Sequence, residues 1–143
     1  MTAQRAQRVR FAAIAAVLML AACERTPKEL VNRQWSDSFA FRIAMDPTPP
    51  RAIEDVTYRI VVQDKTTGEP IETGQGRIFA TSPDGANTDD GLLKGKEVGT
   101  YYGRLFFPTT GDWAIAIQFR RDSTKRLERV DWIQSVSNAS GQQ

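Results

Sequence analysis

The chain of 143 residues contains no histidine, one cysteine and three methionines. Histidine is the commonest general base near neutral pH and the commonest metal ligand, so its absence excludes Ser–His and Cys–His catalytic pairs. A single cysteine excludes an intramolecular disulfide. From these absences we predict that the protein is not an enzyme and that it holds no metal and no cofactor.

The charge balance argues against a nucleic-acid partner. The chain carries 19 basic and 17 acidic residues, and Arg5, Arg8 and Arg10 lie in the first ten positions, which contain no acid. Without residues 1–22, the remaining 121 residues therefore carry 16 basic and 17 acidic side chains. A nucleic-acid-binding domain is expected to carry a clustered basic excess. We predict no binding to nucleic acid.

Residues 1–22 have the organisation of a bacterial export signal. The three arginines precede an unbroken apolar run over residues 11–22, which is shorter than the roughly 20 residues of a membrane-spanning helix. This run ends in Leu20, Ala21, Ala22 and Cys23, and these four residues form a motif that resembles the lipobox of bacterial lipoproteins. The alternative is an uncleaved apolar helix with an incidental thiol.

The lipobox resemblance implies where the protein resides. In lipoproteins a diacylglycerol is attached to the cysteine, the leader is cut before it, and a fatty acid such as palmitate is added to the new N-terminus. Two or three acyl chains anchor a protein stably, whereas one chain holds it weakly. We therefore expect Cys23 to bind the lipid bilayer of the bacterial cell envelope, with the protein facing the periplasm. Glu24 follows the cysteine, and the lack of an aspartate there slightly favours the outer membrane.

Behind the anchor the pattern predicts an all-β domain. Residues 23–38 show no sustained period and are predicted to be the lipidated cysteine and a tether. Residues 39–136 alternate between apolar and polar side chains in short runs that are separated by Pro, Gly and Asp turns. This pattern predicts a small immunoglobulin-like antiparallel β-sandwich of about six to seven strands. The segments 39–45, 56–62, 70–81, 101–107, 113–119 and 127–136 are the predicted strands.

Two segments are predicted to be irregular. Residues 82–99 are rich in turn-forming residues, and residues 137–143 are small and polar and are predicted to form a disordered tail. The first segment contains side-chain oxygens of the kind that bind Ca²⁺. Their spacing differs from the spacing of the ligands in an EF-hand loop, so a solvated turn is favoured. These oxygens belong to Asp84, Asn87, Asp89 and Asp90.

Six turn and strand residues follow one another in a characteristic order: Gly68, Pro70, Gly99, Tyr101, Gly111 and Trp113. This order resembles that of the YtkA-like domain family, which is similar in turn to the periplasmic part of FixH. The resemblance covers about residues 39–120 and implies an immunoglobulin-like sandwich in the envelope. Some members are associated with copper delivery or oxidase assembly, which require Met or His ligands. The loop 82–99 contains neither, so the copper function does not carry over.

Five side chains are candidates for an interaction surface. Tyr101 and Tyr102 must point to opposite sides of a strand, so one of them is expected at the surface. Arg120, Arg121 and Arg126 concentrate positive charge near the last hairpin, where acidic neighbours make a solvated hairpin the alternative. Trp113 alternates with apolar residues and is predicted to lie in the core.

Three hypotheses about function follow. The favoured one is a membrane-anchored envelope lipoprotein whose sandwich is a non-catalytic module that binds another envelope protein. The second is periplasmic copper handling or oxidase assembly, as in some YtkA-like relatives. The third is a small hydrolase using paired carboxylates, which the lack of histidine disfavours.

Overall fold

The described part of the chain folds into nine antiparallel strands. The structure is a computed structural model, and it describes residues 30–139. No helix is present among these residues, and none therefore has the length and apolarity to cross a bilayer. The strands are β1 (Asn32–Trp35), β2 (Phe39–Asp46), β3 (Asp55–Asp64), β4 (Gln75–Thr81), β5 (Asn87–Gly91), β6 (Leu93–Lys94), β7 (Thr100–Phe106), β8 (Gly111–Arg120) and β9 (Glu128–Val136).

The strands form two sheets that pack face to face. One sheet has five strands in the order β1-β2-β3-β7-β6, and the other has four in the order β5-β4-β8-β9. The predicted antiparallel β-sandwich is confirmed. The six predicted strands correspond to the six longest, whereas β1, β5 and β6 were missed. These three lie at sheet edges and are mostly polar, so they lack the apolar alternation that reveals a half-buried strand.

Three predicted boundaries were wrong. The tether was placed at 23–38, but β1 pairs with β2, with Asn32 opposite Ile43. The segment 82–99 was expected to be irregular, yet it contains β5 and β6. The tail was placed at 137–143, but Ser137 donates its backbone N–H to the Pro50 carbonyl over 3.0 Å. In each case main-chain pairing orders a polar segment, which side-chain pattern alone does not reveal.

The core between the sheets is aromatic at both ends. Phe119 packs edge-to-face against Phe39 and Tyr101, with ring centroids 5.1 Å apart in both pairs. Trp113 packs against Phe107 at 5.2 Å and donates its indole N–H to the Thr109 carbonyl. Trp113 is fully buried, so its predicted position in the core is confirmed. Such edge-to-face pairs add to the stability that burial of apolar area provides.

The Tyr101 hydroxyl binds the loop between β3 and β4 to this core. This hydroxyl donates to the Ile71 carbonyl over 2.7 Å and accepts the Gly74 N–H over 2.8 Å. The Phe119 ring occupies the space where a Cβ at position 74 would lie, 1.8 Å from its nearest carbon. Glycine is therefore required at position 74 by the close approach of the loop to the core.

The sandwich is self-contained. Its buried core draws on residues from Phe39 to Val136 only, and a domain of about this size closes a hydrophobic core without disulfides or metals. A chain that begins at residue 24 therefore retains every strand and every core residue that the structure describes.

Candidate interaction surfaces

The three arginines that the sequence singled out meet in one cleft. Arg120 ends β8, and Arg121 and Arg126 lie in the turn between β8 and β9. With Lys125 they line a depression of about 220 Å³, whose other walls are Ser38, Phe39 and Glu128. We call these four cations the basic cleft. The hairpin brings them together because they are close in sequence.

Acidic and polar groups from other turns neutralise much of this charge. Arg121 forms an ion pair with Asp64, and its guanidinium carbon lies 5.7 Å from the centre of the Phe39 ring. The Nη2 of Arg126 lies 2.5 Å from a carboxylate oxygen of Asp37. Arg120 donates from Nε to the Gln75 amide oxygen over 3.3 Å. Two of the four cations of the basic cleft, Arg121 and Arg126, thus have carboxylate partners.

Two carboxylates of this region, Glu128 and Asp64, have lowered pKa values that favour the ionised form. Burial raises the pKa of Glu128, but hydrogen bonds from Ser36 and Ser38 and the charge of Arg126 outweigh it, so the net pKa is lowered. The Ser36 hydroxyl donates to Glu128 Oε2 over 2.5 Å and the Ser38 N–H over 2.9 Å. The Thr67 and Thr66 N–H groups lower the pKa of Asp64, with help from the charge of Arg121.

The two adjacent tyrosines lie away from the basic cleft. Tyr101 is buried in the core with 1% of its surface exposed, so its assignment to an interaction surface was wrong. Tyr102 is half-buried on the outer face of the five-stranded sheet, where it lines a depression with Leu93 and Arg104. Of the two, only Tyr102 is therefore available to a partner, as the alternation of side chains requires.

A second basic surface was not predicted from the sequence. Arg33 on β1 lies directly opposite Arg42 on β2, and Arg59 on β3 lies opposite Ala44. The three side chains surround a depression of about 200 Å³. We call Arg33, Arg42 and Arg59 the arginine patch. The members are nine and seventeen residues apart in the chain, so only the strand register brings them together.

The floor of the arginine patch is apolar. Ala44 and Val61 line it and are 3% and 8% exposed, although their positions point to the outer face of the sheet. They are buried because the aliphatic stems of the neighbouring arginines lie over them, which leaves the guanidinium groups at the rim. The sequence contained one signal for the arginine patch, because Arg42 and Arg59 fall at the polar positions of two predicted strands.

The members of the arginine patch differ in their pairing. Arg59 donates from Nε and Nη2 to one oxygen of Glu97, over 3.0 and 2.8 Å, which raises its pKa. No described carboxylate lies within 4 Å of the side-chain nitrogens of Arg33 or Arg42. Like charges directly opposite each other across two strands destabilise a sheet. The patch therefore has unneutralised positive charge.

The acids considered as calcium ligands have structural partners. Asp89 pairs with Arg77 over 3.1 Å, and Asp90 accepts the backbone N–H of Arg104 over 2.8 Å. Asp84 accepts a hydrogen bond from the Ser82 hydroxyl. Within residues 30–139, no three Cys, Asp or Glu side chains are grouped so that they could hold a metal ion. Asn87, the fourth candidate, begins β5.

Comparison with known proteins supports the fold. Neither a family model nor a curated protein matches the chain. Among solved structures the chain is similar to a DUF4426 family protein from Pseudomonas aeruginosa PAO1, with a TM-score of 0.57 and 11% sequence identity. The match covers 75% of this chain and 94% of that one. At this identity the likeness shows a shared β-rich bacterial fold and nothing about function.

Proposed function

We propose that the protein is a lipid-anchored lipoprotein of the bacterial cell envelope, and that its sandwich is a non-catalytic interaction module. The observation that carries the proposal is the lipobox-like motif ending at Cys23, directly after a basic and apolar leader. The leader, Leu20, Ala21, Ala22 and Cys23 lie outside the described residues. The first strand that the structure describes begins at Asn32, nine residues after the cysteine.

The basic cleft is the proposed contact surface for a protein partner. A neighbouring depression shares Arg126 and Glu128 with it and adds Leu127, which is 44% exposed. Arginine is enriched among the residues that dominate binding energies at protein interfaces. An acidic segment of an envelope protein matches this mixture, since its carboxylates can replace the intramolecular partners of the arginines.

Attachment through Cys23 is tested by acyl labelling in cells. The wild-type protein is expected to incorporate labelled palmitate and to lose residues 1–22. The Cys23→Ser variant should retain the leader and carry no label, while the matched Glu24→Gln variant should behave as wild type. Labelling of the serine variant at the wild-type level would contradict the anchor.

The contact surface is tested by site-specific crosslinking in intact cells. A photoreactive residue at Arg126 should capture an envelope protein, whereas the same residue at Thr109, in the exposed turn between β7 and β8, should not. Equal capture at both positions, or none at Arg126, would contradict the assignment of the basic cleft.

The second hypothesis, metal handling as in some YtkA-like relatives, has its own test. Copper titration of the purified protein should produce no saturable change in its spectra. Recovery of metal-transport or oxidase-assembly proteins in the Arg126 crosslinks, together with saturable copper binding, would favour this hypothesis over a plain interaction module.

A further inference from the structure

We propose that the outer face of the five-stranded sheet lies against the membrane that carries the anchor, and that the arginine patch binds the phosphates of anionic lipid headgroups. The inference rests on the proposed function for the anchor at Cys23. It adds an orientation of the domain on the bilayer and a ligand class for one surface.

The geometry of the arginine patch fits an oxyanion. Three neighbouring strands each supply one guanidinium group to the rim of a single depression, with Arg33 directly opposite Arg42. Guanidinium groups present planar donor pairs that match phosphate oxygens bidentately. Glu97 accepts hydrogen bonds from Nε and Nη2 of Arg59, so Arg33 and Arg42 supply the unpaired guanidinium groups, and the apolar floor of Ala44 and Val61 adds no acceptor side chain. A phosphate seated at the rim is therefore bound by charge and by several N–H donors.

The electrostatics of the patch point to a ligand from outside the fold. Arg33 and Arg42 repel each other across the strands, and among the described side chains no carboxylate forms an ion pair with either. On the opposite outer face, Arg77 pairs with Asp89 and Arg129 with Asp131. An anion at the arginine patch removes a repulsion that the protein leaves uncompensated.

The surroundings of the patch favour a membrane over a soluble phosphate. Val31 lines the depression, and Trp35 lies on the same side of β1 as Arg33. Further along the face, Tyr102 lies opposite Arg59 and Leu93 lies opposite Tyr102. Val31, Trp35 and Leu93 are 41%, 58% and 73% exposed. Arginines beside exposed aromatic and aliphatic side chains are typical of surfaces that rest in the headgroup region.

The position of the anchor brings this face to the bilayer. Cys23 precedes Val31 by eight residues, so the two can be separated by at most about 28 Å, at about 3.5 Å per residue, whatever the conformation of the chain between them. A lipid on Cys23 thus holds the β1 edge of the sheet close to the headgroups. Tethering at such a distance gives weak headgroup contacts a high effective concentration.

Vesicle flotation with a chain that begins at residue 24 tests the inference without the acyl groups. We expect binding to phosphatidylglycerol vesicles, weakening as salt is added, and no binding to phosphatidylcholine vesicles. An arginine near an anionic surface contributes about fivefold in affinity, so the Arg33→Gln/Arg42→Gln pair should bind about 25-fold more weakly. The control pair Arg77→Gln/Arg129→Gln removes the same charge from the opposite face and should change affinity by at most about twofold.

Several outcomes would overturn the inference. One is equal loss in both pairs, which would indicate non-specific charge attraction. Another is saturable binding of inorganic phosphate, or of an acidic peptide, without binding to the anionic vesicles. Palmitate labelling at Cys23 is measured separately. Failed flotation with intact labelling removes this orientation and leaves the lipoprotein proposal standing, whereas lost labelling removes the anchor itself.

Discussion

Both outer faces of the sandwich carry arginines, but the pairing of these arginines with carboxylates differs between the faces. On the four-stranded sheet, the guanidinium carbons of Arg77 and Arg129 lie 5.1 and 4.9 Å from the centre of the Phe79 ring, and each arginine has an aspartate partner. On the five-stranded sheet, Arg33 and Arg42 face each other, and no described carboxylate lies within 4 Å of their side-chain nitrogens. The first arrangement stabilises the fold. The second leaves unneutralised charge at a surface, for which we propose an anionic lipid headgroup as the partner.

The largest expected effect is on the free energy of unfolding of Trp113→Ala, and it tests whether the two sheets unfold as one cooperative unit. Trp113 is fully buried between the sheets, so Trp113→Ala should lower the free energy of unfolding by about 3–5 kcal/mol. Urea unfolding followed by circular dichroism should give one cooperative transition for wild type and variant. A loss below about 1 kcal/mol would place Trp113 outside the shared core.

A second prediction compares two buried tyrosines. The hydroxyl of one has hydrogen-bond partners, and the hydroxyl of the other has none among the described residues. Tyr101→Phe leaves the Ile71 carbonyl and the Gly74 N–H without the hydroxyl that each contacts, and should cost about 1–3 kcal/mol of unfolding free energy. The Tyr58 hydroxyl is buried and has no hydrogen-bond partner among the described residues, and burial raises its pKa.

Tyr58→Phe is therefore the matched control for Tyr101→Phe. Removal of an unsatisfied hydroxyl should leave the free energy of unfolding within about 0.5 kcal/mol of wild type or raise it. Denaturant midpoints of the two variants provide the comparison. Equal destabilisation would mean that the hydroxyl of Tyr58 has a partner in solution.

Substitution of one arginine on each face tests the contrast between the faces, because the two substitutions should change the free energy of unfolding in opposite directions. Arg129→Gln abolishes an ion pair and a cation–π contact and should destabilise the protein by about 0.5–1 kcal/mol. Arg42→Gln relieves a repulsion and should stabilise it by about 0.2–0.5 kcal/mol. Both shifts should shrink in salt when thermal unfolding is measured. Destabilisation by Arg42→Gln would show that its charge is neutralised within the fold.

The smallest expected effect is a pH dependence from Glu128 at the basic cleft. Because its pKa is lower in the folded than in the unfolded state, the carboxylate stabilises the fold above the unfolded pKa of about 4.3. That contribution is lost as pH falls through the folded pKa. The difference in unfolding free energy between wild type and Glu128→Gln should therefore shrink by a few tenths of a kcal/mol from about pH 6 to pH 3. A difference that grows on acidification would contradict the sign.

The sequence predicts those features that local pattern encodes. Trp113 and the long strands follow from period-two alternation, and the basic cleft follows from arginines that share one hairpin. Tyr101 could also have been assigned to the core, because it alternates with Gly103 and Leu105 toward the buried side.

The features that were missed depend on pairing between distant segments. Strand β1 is polar and is ordered by β2, so nothing in NRQW distinguishes it from a tether. The arginine patch exists only because the register places Arg33 opposite Arg42, and register is not visible before both strands are known. The partners of the basic cleft, Asp37 and Asp64, likewise come from other turns.

The central claim, a lipid-anchored sandwich resting on the bilayer through its five-stranded sheet, is tested most directly by the fluorescence of Trp35. The acylated wild-type protein is reconstituted into phosphatidylglycerol vesicles with and without brominated acyl chains, which quench nearby indoles. Trp35 is 58% exposed beside the arginine patch, whereas Trp113 is buried. The account predicts quenching by brominated lipid that is lost in Trp35→Phe. Equal fluorescence in brominated and ordinary vesicles would contradict it.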